Sequence, residues 1–156
     1  MIKVKLLSDI AVLPTKAHDT DLGYDLYSSE NIVLYPGSVT LVSTGIACKF
    51  PDGYGALIRD RSGFSTKNGI FVIAGVIDEN YTGEIKIAFY NPSHQKYSNN
   101  FTTEISMRQN HQKFISPGDK VAQMILIPTT NFPIVEVRSL DVTDRGSDGF
   151  GSSGNN

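Results

Sequence analysis

An all-β fold built from short strands, a sandwich or a barrel, is what this sequence predicts. Three observations lead there. Apolar residues recur with period two. The strand-like segments are short and bounded by Pro, Gly, Asn or Asp. No stretch carries a convincing helical stripe.

Taken in chain order, "IKVKL" alternates Ile2, Val4 and Leu6 with Lys3 and Lys5, as a half-buried strand does. "NIVLYPG" and "VTLVSTGIACKF" are β-branched or aromatic and end at turn residues. "FSTKN" is the best place for one short helical turn. "GIFVIAGVI" reads as a strand leading into Asp78, with a hairpin turn through Gly83 and a return strand. That return strand, "EIKIAFYN", sets Ile85, Ile87 and Phe89 against Lys86, Ala88 and Tyr90. A polar excursion over about 92–112 follows; "FTTEISM" and "QKFIS" inside it read either as a hairpin arm or as solvated surface. "KVAQMILIP" and "IVEVRSL" complete the strand signals. With 156 residues, no internal repeat and no linker, the chain has the size of one domain.

Bulk properties narrow the function classes. A formal net charge of -2 offers no basic surplus for gripping many nucleic-acid phosphates, although a small anion needs only a few local cations. Cys48 is the single cysteine, so no internal disulfide forms and no zinc-type Cys/His spacing exists. No apolar run has the length of a signal peptide or a membrane span. A cytoplasmic protein is the expectation, in a host cell if the gene is viral.

Five stretches are unusual for a plain β-barrel. "RDRSGFS" gathers Arg59, Arg61, Ser62 and Gly63, which can all donate to one anion, or can form an ordinary solvated turn. "AGVIDENYTGEI" puts the Asp78 carboxylate at a turn with Tyr81 three residues on. Such a carboxylate can serve as a general base on water, or cap its own backbone. "DLGYDLYS" sets Asp21 and Asp25 around Gly23. In "SPGDKVAQM", Gln123 interrupts an apolar strand and needs a partner or solvent. The tail contains "GFGSSG", which formally matches G-x-G-x-x-G, but only two residues follow it, so no helix can start there. It can wrap a phosphate chain and lay Phe150 on a flat ring, or it can be a frayed terminus.

In this order, "LGYDLYS…YPG", "RSGFSTKNGI", "AGVIDENYTGEI", "PGDKVAQMIL" and "RGSDGFGSSG" resemble the motifs of the trimeric dUTPase family, over almost the whole chain. The resemblance implies a distorted, jelly-roll-like β-barrel over 1–140, with an insertion at about 92–112. A flexible C-terminal arm over 141–156 would close over the active site. It further implies a homotrimer whose sites are shared between subunits, and hydrolysis of dUTP to dUMP and pyrophosphate. Mg²⁺ would be held mainly by the substrate triphosphate, with no metal site formed by protein residues alone.

Carried over residue by residue, the resemblance gives Asp78 the role of activating the attacking water. Tyr81 would pack beneath the deoxyribose. The backbone from Gly75 through Val76 and Ile77, and across at Lys86, would read uracil. Arg61, Ser62 and Gly63 would hold phosphates, and Gln123 would contact a phosphate or the water. Asp25 would reach the metal's hydration shell or support the phosphate site. Arg145 would take the γ-phosphate, Phe150 would cover uracil, and Gly151, Ser152 and Ser153 would close on the phosphates.

The chain departs from the family pattern in three places. Asp148 stands where Gly is usual, Asn80 where Asp is usual, and the 92–112 segment is longer than expected. That segment is either surface decoration or a docking arm for another protein. Two rival functions are a dCTP deaminase-like nucleotide enzyme and a binding module on the same fold. The intact "GVIDENY" and Glu84 favour the dUTPase reading.

Overall fold

The structure, a computed structural model, describes residues 1–92, 111–144 and 146–147. Among these residues ten strands form: β1 (Lys3–Leu6), β2 (Tyr24–Tyr27), β3 (Ile32–Leu34), β4 (Val39–Lys49), β5 (Tyr54–Asp60), β6 (Phe71–Val72), β7 (Val76–Ile77), β8 (Glu84–Tyr90), β9 (Lys113–Ile115) and β10 (Lys120–Pro128). One short helix, α1 (Ser62–Asn68), lies where a helical turn was expected. The predicted all-β class therefore holds.

The strands make one four-stranded sheet in the order β1-β4-β8-β6, a second in the order β2-β10-β5-β7, and a two-stranded β3-β9 ribbon. The sheets do not close into a continuous barrel. They share one core, with Val42, Ile46, Ile85, Ile87 and Phe89 from the first and Leu26, Ala56, Ile58, Val121 and Met124 from the second. The alternation in β8 is followed: Ile85, Ile87 and Phe89 are buried, and Lys86 is exposed. Cys48 lies in this core, and burial pushes its thiol up to about 11.

Two strand expectations are corrected. "GIFVIAGVI" is not one strand. After β6 pairs with β8, the chain kinks through Ala74 (φ 62) and Gly75 (φ 108), and β7 then pairs with β5 in the other sheet. A side chain on Gly75 would stand 2.7 Å from the Ile58 carbonyl oxygen, so the crossing needs glycine. β7 and β8 are consequently not a ladder-paired hairpin.

The second correction is "IVEVRSL", which forms no strand. Among the described residues, regular structure ends at Pro128, and Phe132, Ile134, Val135, Val137, Leu140 and Val142 are all exposed. A strand needs an edge to pair with, and among the described residues this segment meets none. Of the two strand-like pieces at the polar excursion, "QKFIS" contains β9, which pairs with β3, while "FTTEISM" lies outside the described residues.

Candidate active site

Two clefts hold the predicted residues. The first opens where the two sheets part. β7 is an edge strand, paired only with β5 at Ala56↔Ile77 and Leu57↔Val76. Across the gap, β6 covers β8 only at Phe89 and Tyr90. Between them lies a cleft of 290 Å³ lined by Val76, Ile77, Asp78, Tyr81, Glu84 and Lys86. The sheet switch thus leaves the outer edges of β7 and β8 beside a cavity, the kind of place where strand backbone reads a flat polar ring.

Asp78 is exposed in the turn that closes this cleft, and its carbonyl accepts the Tyr81 amide at 3.1 Å. The Tyr81 ring folds back over Gly83, and its hydroxyl donates to the Glu84 carbonyl at 3.0 Å. A Cβ on Gly83 would meet that hydroxyl oxygen at 2.6 Å, so the ring depends on the glycine. Glu84 accepts the Gly45 amide at 3.0 Å and lies 3.5 Å from the Lys86 ammonium, which ties the start of β8 to β4.

The second cleft, 430 Å³, is lined by Arg61, Gly63, Phe64, Lys67, Asn68, Phe114, Asp119 and Lys120. Arg61 immediately precedes α1, and Ser62 and Gly63 form the first turn of the helix. Asp60 holds this loop by accepting the Val72 amide at 2.7 Å and the Ser65 hydroxyl at 3.1 Å. Phe64 packs on Phe89 at 5.8 Å and fixes the helix to the core.

Behind the cleft, buried Asp25 gathers three donors. Arg61 Nε and Gln123 Nε2 each lie 3.3 Å from its Oδ1, and Lys120 Nζ lies 2.9 Å from its Oδ2. Burial alone would raise the Asp25 pKa, but Lys120, Gln123 and Arg61 outweigh it and hold the carboxyl below its usual range. Gln123 faces Asp25 in the β2–β10 register, and Gly23 lets it lie close, since a Cβ there would be 3.1 Å from that of Gln123. Gln123 thus has its partner, and Arg61 and Lys120 are set as a pair of cations around one carboxylate.

The structure therefore groups Val76, Ile77, Asp78, Tyr81 and Lys86 in one cleft, with Gly75 at the kink leading into it. It groups Arg61, Ser62, Gly63, Asp25 and Gln123 around the other. Among the described residues the two share no lining residue. A further, apolar cleft of 460 Å³, lined by Ile2, Val4, Leu13, Pro14, Tyr24 and Met124, contains none of the predicted residues. Arg145, Phe150, Gly151, Ser152 and Ser153 lie outside the described residues. Sequence reasoning missed Lys120; its signal was its place at the start of the Gln123 strand, beside the Pro-Gly turn.

Comparison with known proteins identifies the family. The dUTPase family profile matches residues 9–154. Deoxyuridine 5'-triphosphate nucleotidohydrolase of Clostridium tetani is 38% identical over 98% of this chain and 96% of its own length. The Alkaliphilus metalliredigens enzyme of the same name is 43% identical over 98% and 96%. Among solved structures, the dUTPase of Staphylococcus bacteriophage 80alpha bound to dUPNHPP superposes with a TM-score of 0.86 at 29% identity, covering 99% of both chains. A point mutant of the dUTPase of S. aureus phage phi11, whose structure details the coordination of a structural Mg(II) ion, superposes with a TM-score of 0.77 at 30% identity. That match covers 91% of this chain and 99% of the phage chain. This chain belongs to the dUTPase family.

Proposed function

We propose that the two clefts are the two halves of one nucleotide site, divided between copies of the chain. The protein is a dUTP diphosphatase that releases dUMP and pyrophosphate. The observation that carries the reading is the opening between β7 and β8, with Asp78 and Tyr81 at its closed end. Uracil would pair its polar edge with the backbone along Gly75–Ile77 and at Lys86 of β8, outside the bonds that already tie this stretch to β5, such as that of the Gly75 carbonyl to the Ile58 amide at 2.7 Å. Cytosine swaps donor and acceptor there, and thymine adds a methyl group where the strands close. Leaving buried polar groups mismatched costs about 10⁴-fold in discrimination. The Tyr81 ring under the sugar would leave a 2′-hydroxyl without room or partner.

Asp78 would take a proton from the water as the water oxygen bonds to the α-phosphorus. The bond from that phosphorus to the bridging oxygen breaks, and pyrophosphate departs. Arg61, Lys120 and the first-turn amides at Ser62 and Gly63 would hold the phosphates, with Gln123 beside them. Both Asp25 oxygens are occupied by donors, which supports a role in orienting those cations and not in ligating a metal. Mg²⁺ carried by the triphosphate would supply neutralisation of phosphate charge. The chain would divide into a β-domain and an arm in which Arg145 and Phe150 to Ser153 close on the nucleotide.

A homotrimer is the assembly that this site calls for. Two separate clefts in one chain and the exposed apolar side chains from Phe132 to Val142 both support association of copies. The related phage 80alpha dUTPase controls transfer of virulence genes, so a second role beside catalysis has a precedent among the relatives. The 92–112 segment, which none of the five motifs occupies, is the part of this chain proposed for docking another protein.

The test is pyrophosphate release from dUTP, dTTP, dCTP and UTP, with Asp78→Asn as comparator. The wild type should act on dUTP alone. The variant should lose more than nine-tenths of kcat while still binding dUTP. Ammonia released from dCTP would instead mark a deaminase, and an active Asp78→Asn would remove Asp78 as the base.

A further inference from the structure

The turn that carries Asp78 is fastened at the residues that follow it, and one fastening reaches the point where the chain leaves the β-domain. Glu79 accepts the Gly53 amide on Oε1 at 3.0 Å and the Thr129 hydroxyl on Oε2 at 3.1 Å. Gly53 lies in the turn between β4 and β5, and its carbonyl in turn accepts the Thr129 amide at 2.8 Å. Thr129 is the first residue beyond β10. Three segments distant in sequence therefore meet on one carboxylate. One residue further on, Lys49 at the end of β4 donates to Asn80 Oδ1 at 3.0 Å. The Gly53 amide and the Thr129 hydroxyl also hold the Glu79 carboxyl below its usual range, so it is ionised at neutral pH.

We propose that Glu79 is a positioning residue for catalysis: it latches the Asp78 turn to the β4–β5 turn and to the root of the C-terminal segment. The inference rests on Asp78 being the base. Val76 and Ile77 are already held by pairing with β5. Asp78 stands just beyond the last of those pairs, so its placement depends on what holds residues 79 and 80. Loss of the latch should therefore disturb the base more than the backbone that reads uracil. A misplacement of about 1 Å in a reacting group costs up to about 10²-fold in rate.

The expected signature is a split between kcat and KM. Glu79→Ala should lower kcat about tenfold and leave KM within about twofold. Glu79→Gln should restore kcat to within about twofold, because its carbonyl can accept from Gly53 and its amide can donate to the Thr129 hydroxyl oxygen. Thr129→Val removes only the hydroxyl and should cost about threefold. In the Glu79→Ala background it should cost nothing more, since the two residues share the bond. Hydrogen exchange at the Gly53 amide should quicken in Glu79→Ala and stay slow in Glu79→Gln. That readout needs no turnover, so it separates failure of the latch from failure of Asp78 as base. Wild-type kcat in Glu79→Ala, equal damage from Ala and Gln, additive losses in the double variant, or unchanged Gly53 exchange would each overturn the proposal.

Discussion

Asp25 gathers more charged partners than any other buried side chain among the described residues, and it does so without chemistry of its own. Three donors converge on a carboxylate taken out of water, an arrangement that is favourable only while all of them are present. Its pKa is lowered in the folded chain, so its contribution to stability is present above the ordinary carboxylate value of about 3.9 and is lost as pH falls through the lowered one. Asp25→Asn should cost about 1–3 kcal/mol at pH 7, since Arg61 and Lys120 lose their counter-charge but keep access to solvent. Urea unfolding at pH 7 and pH 3, at one protomer concentration, should show that deficit shrinking at the lower pH. An equal deficit at both would mean that the cluster does not depend on ionised Asp25. The sequence marks Lys120 only by its place beside the Pro-Gly turn, and nothing in "PGDKVAQ" says that its ammonium folds back onto a residue of β2, far earlier in the chain.

At the scale of elements, the turn from Asp78 to Gly83 decides the shape of the base-side cleft. Tyr81 lies over Gly83 because there is no side chain to hold it off. A methyl at position 83 would collide with the outer ring atoms, which can swing away at little cost in stability. Gly83→Ala should therefore leave the melting temperature within about 4 °C of wild type, a shift that corresponds to about 1 kcal/mol for a chain of this size. It should lower the dUTP/UTP ratio of kcat/KM, since the displaced ring no longer crowds the sugar. Steady-state kinetics on both nucleotides would show it, and an unchanged ratio would place the sugar contact elsewhere. The strands around this turn illustrate what period-two reading can and cannot see. In β8 the alternation marks both the element and its buried face. From Gly69 to Ile77 every residue is apolar or glycine, so no alternation marks the sheet switch as the segment passes between two sheets that share one core. The positive φ at Ala74 and Gly75 marks the crossing; Gly75 is its one mark in the sequence, and a lone glycine in an apolar run permits a break without forcing it.

At the scale of the whole molecule, the proposed site is divided between two separate clefts of one chain. The carboxylate and ring stand in one cleft, the cations and amides in another, and none of the described residues lines both. Among the described residues "IVEVRSL" carries a strand pattern that finds no partner strand, and its first residue, Ile134, is fully exposed. A pattern that outlasts its own chain's strand edges is what a sequence shows when the partner is another copy, and no intrachain reading can identify that partner. If three copies close a ring, a site can draw its base and its arm from different chains. Co-expressing an Asp78→Asn chain with a chain ending at Asp144 then has a computable outcome. Each parent trimer should be nearly inactive, the first lacking the base and the second lacking Arg145 and Phe150. With random assortment, a site finds an intact Asp78 on one subunit half the time and an intact arm on another half the time. About a quarter of the sites should therefore work. Pyrophosphate release near that fraction of wild type, from particles that light scattering sizes as trimers, is the expected result. If base and arm came from the same chain, every site would lack one or the other, and the mixture would be no more active than its parents.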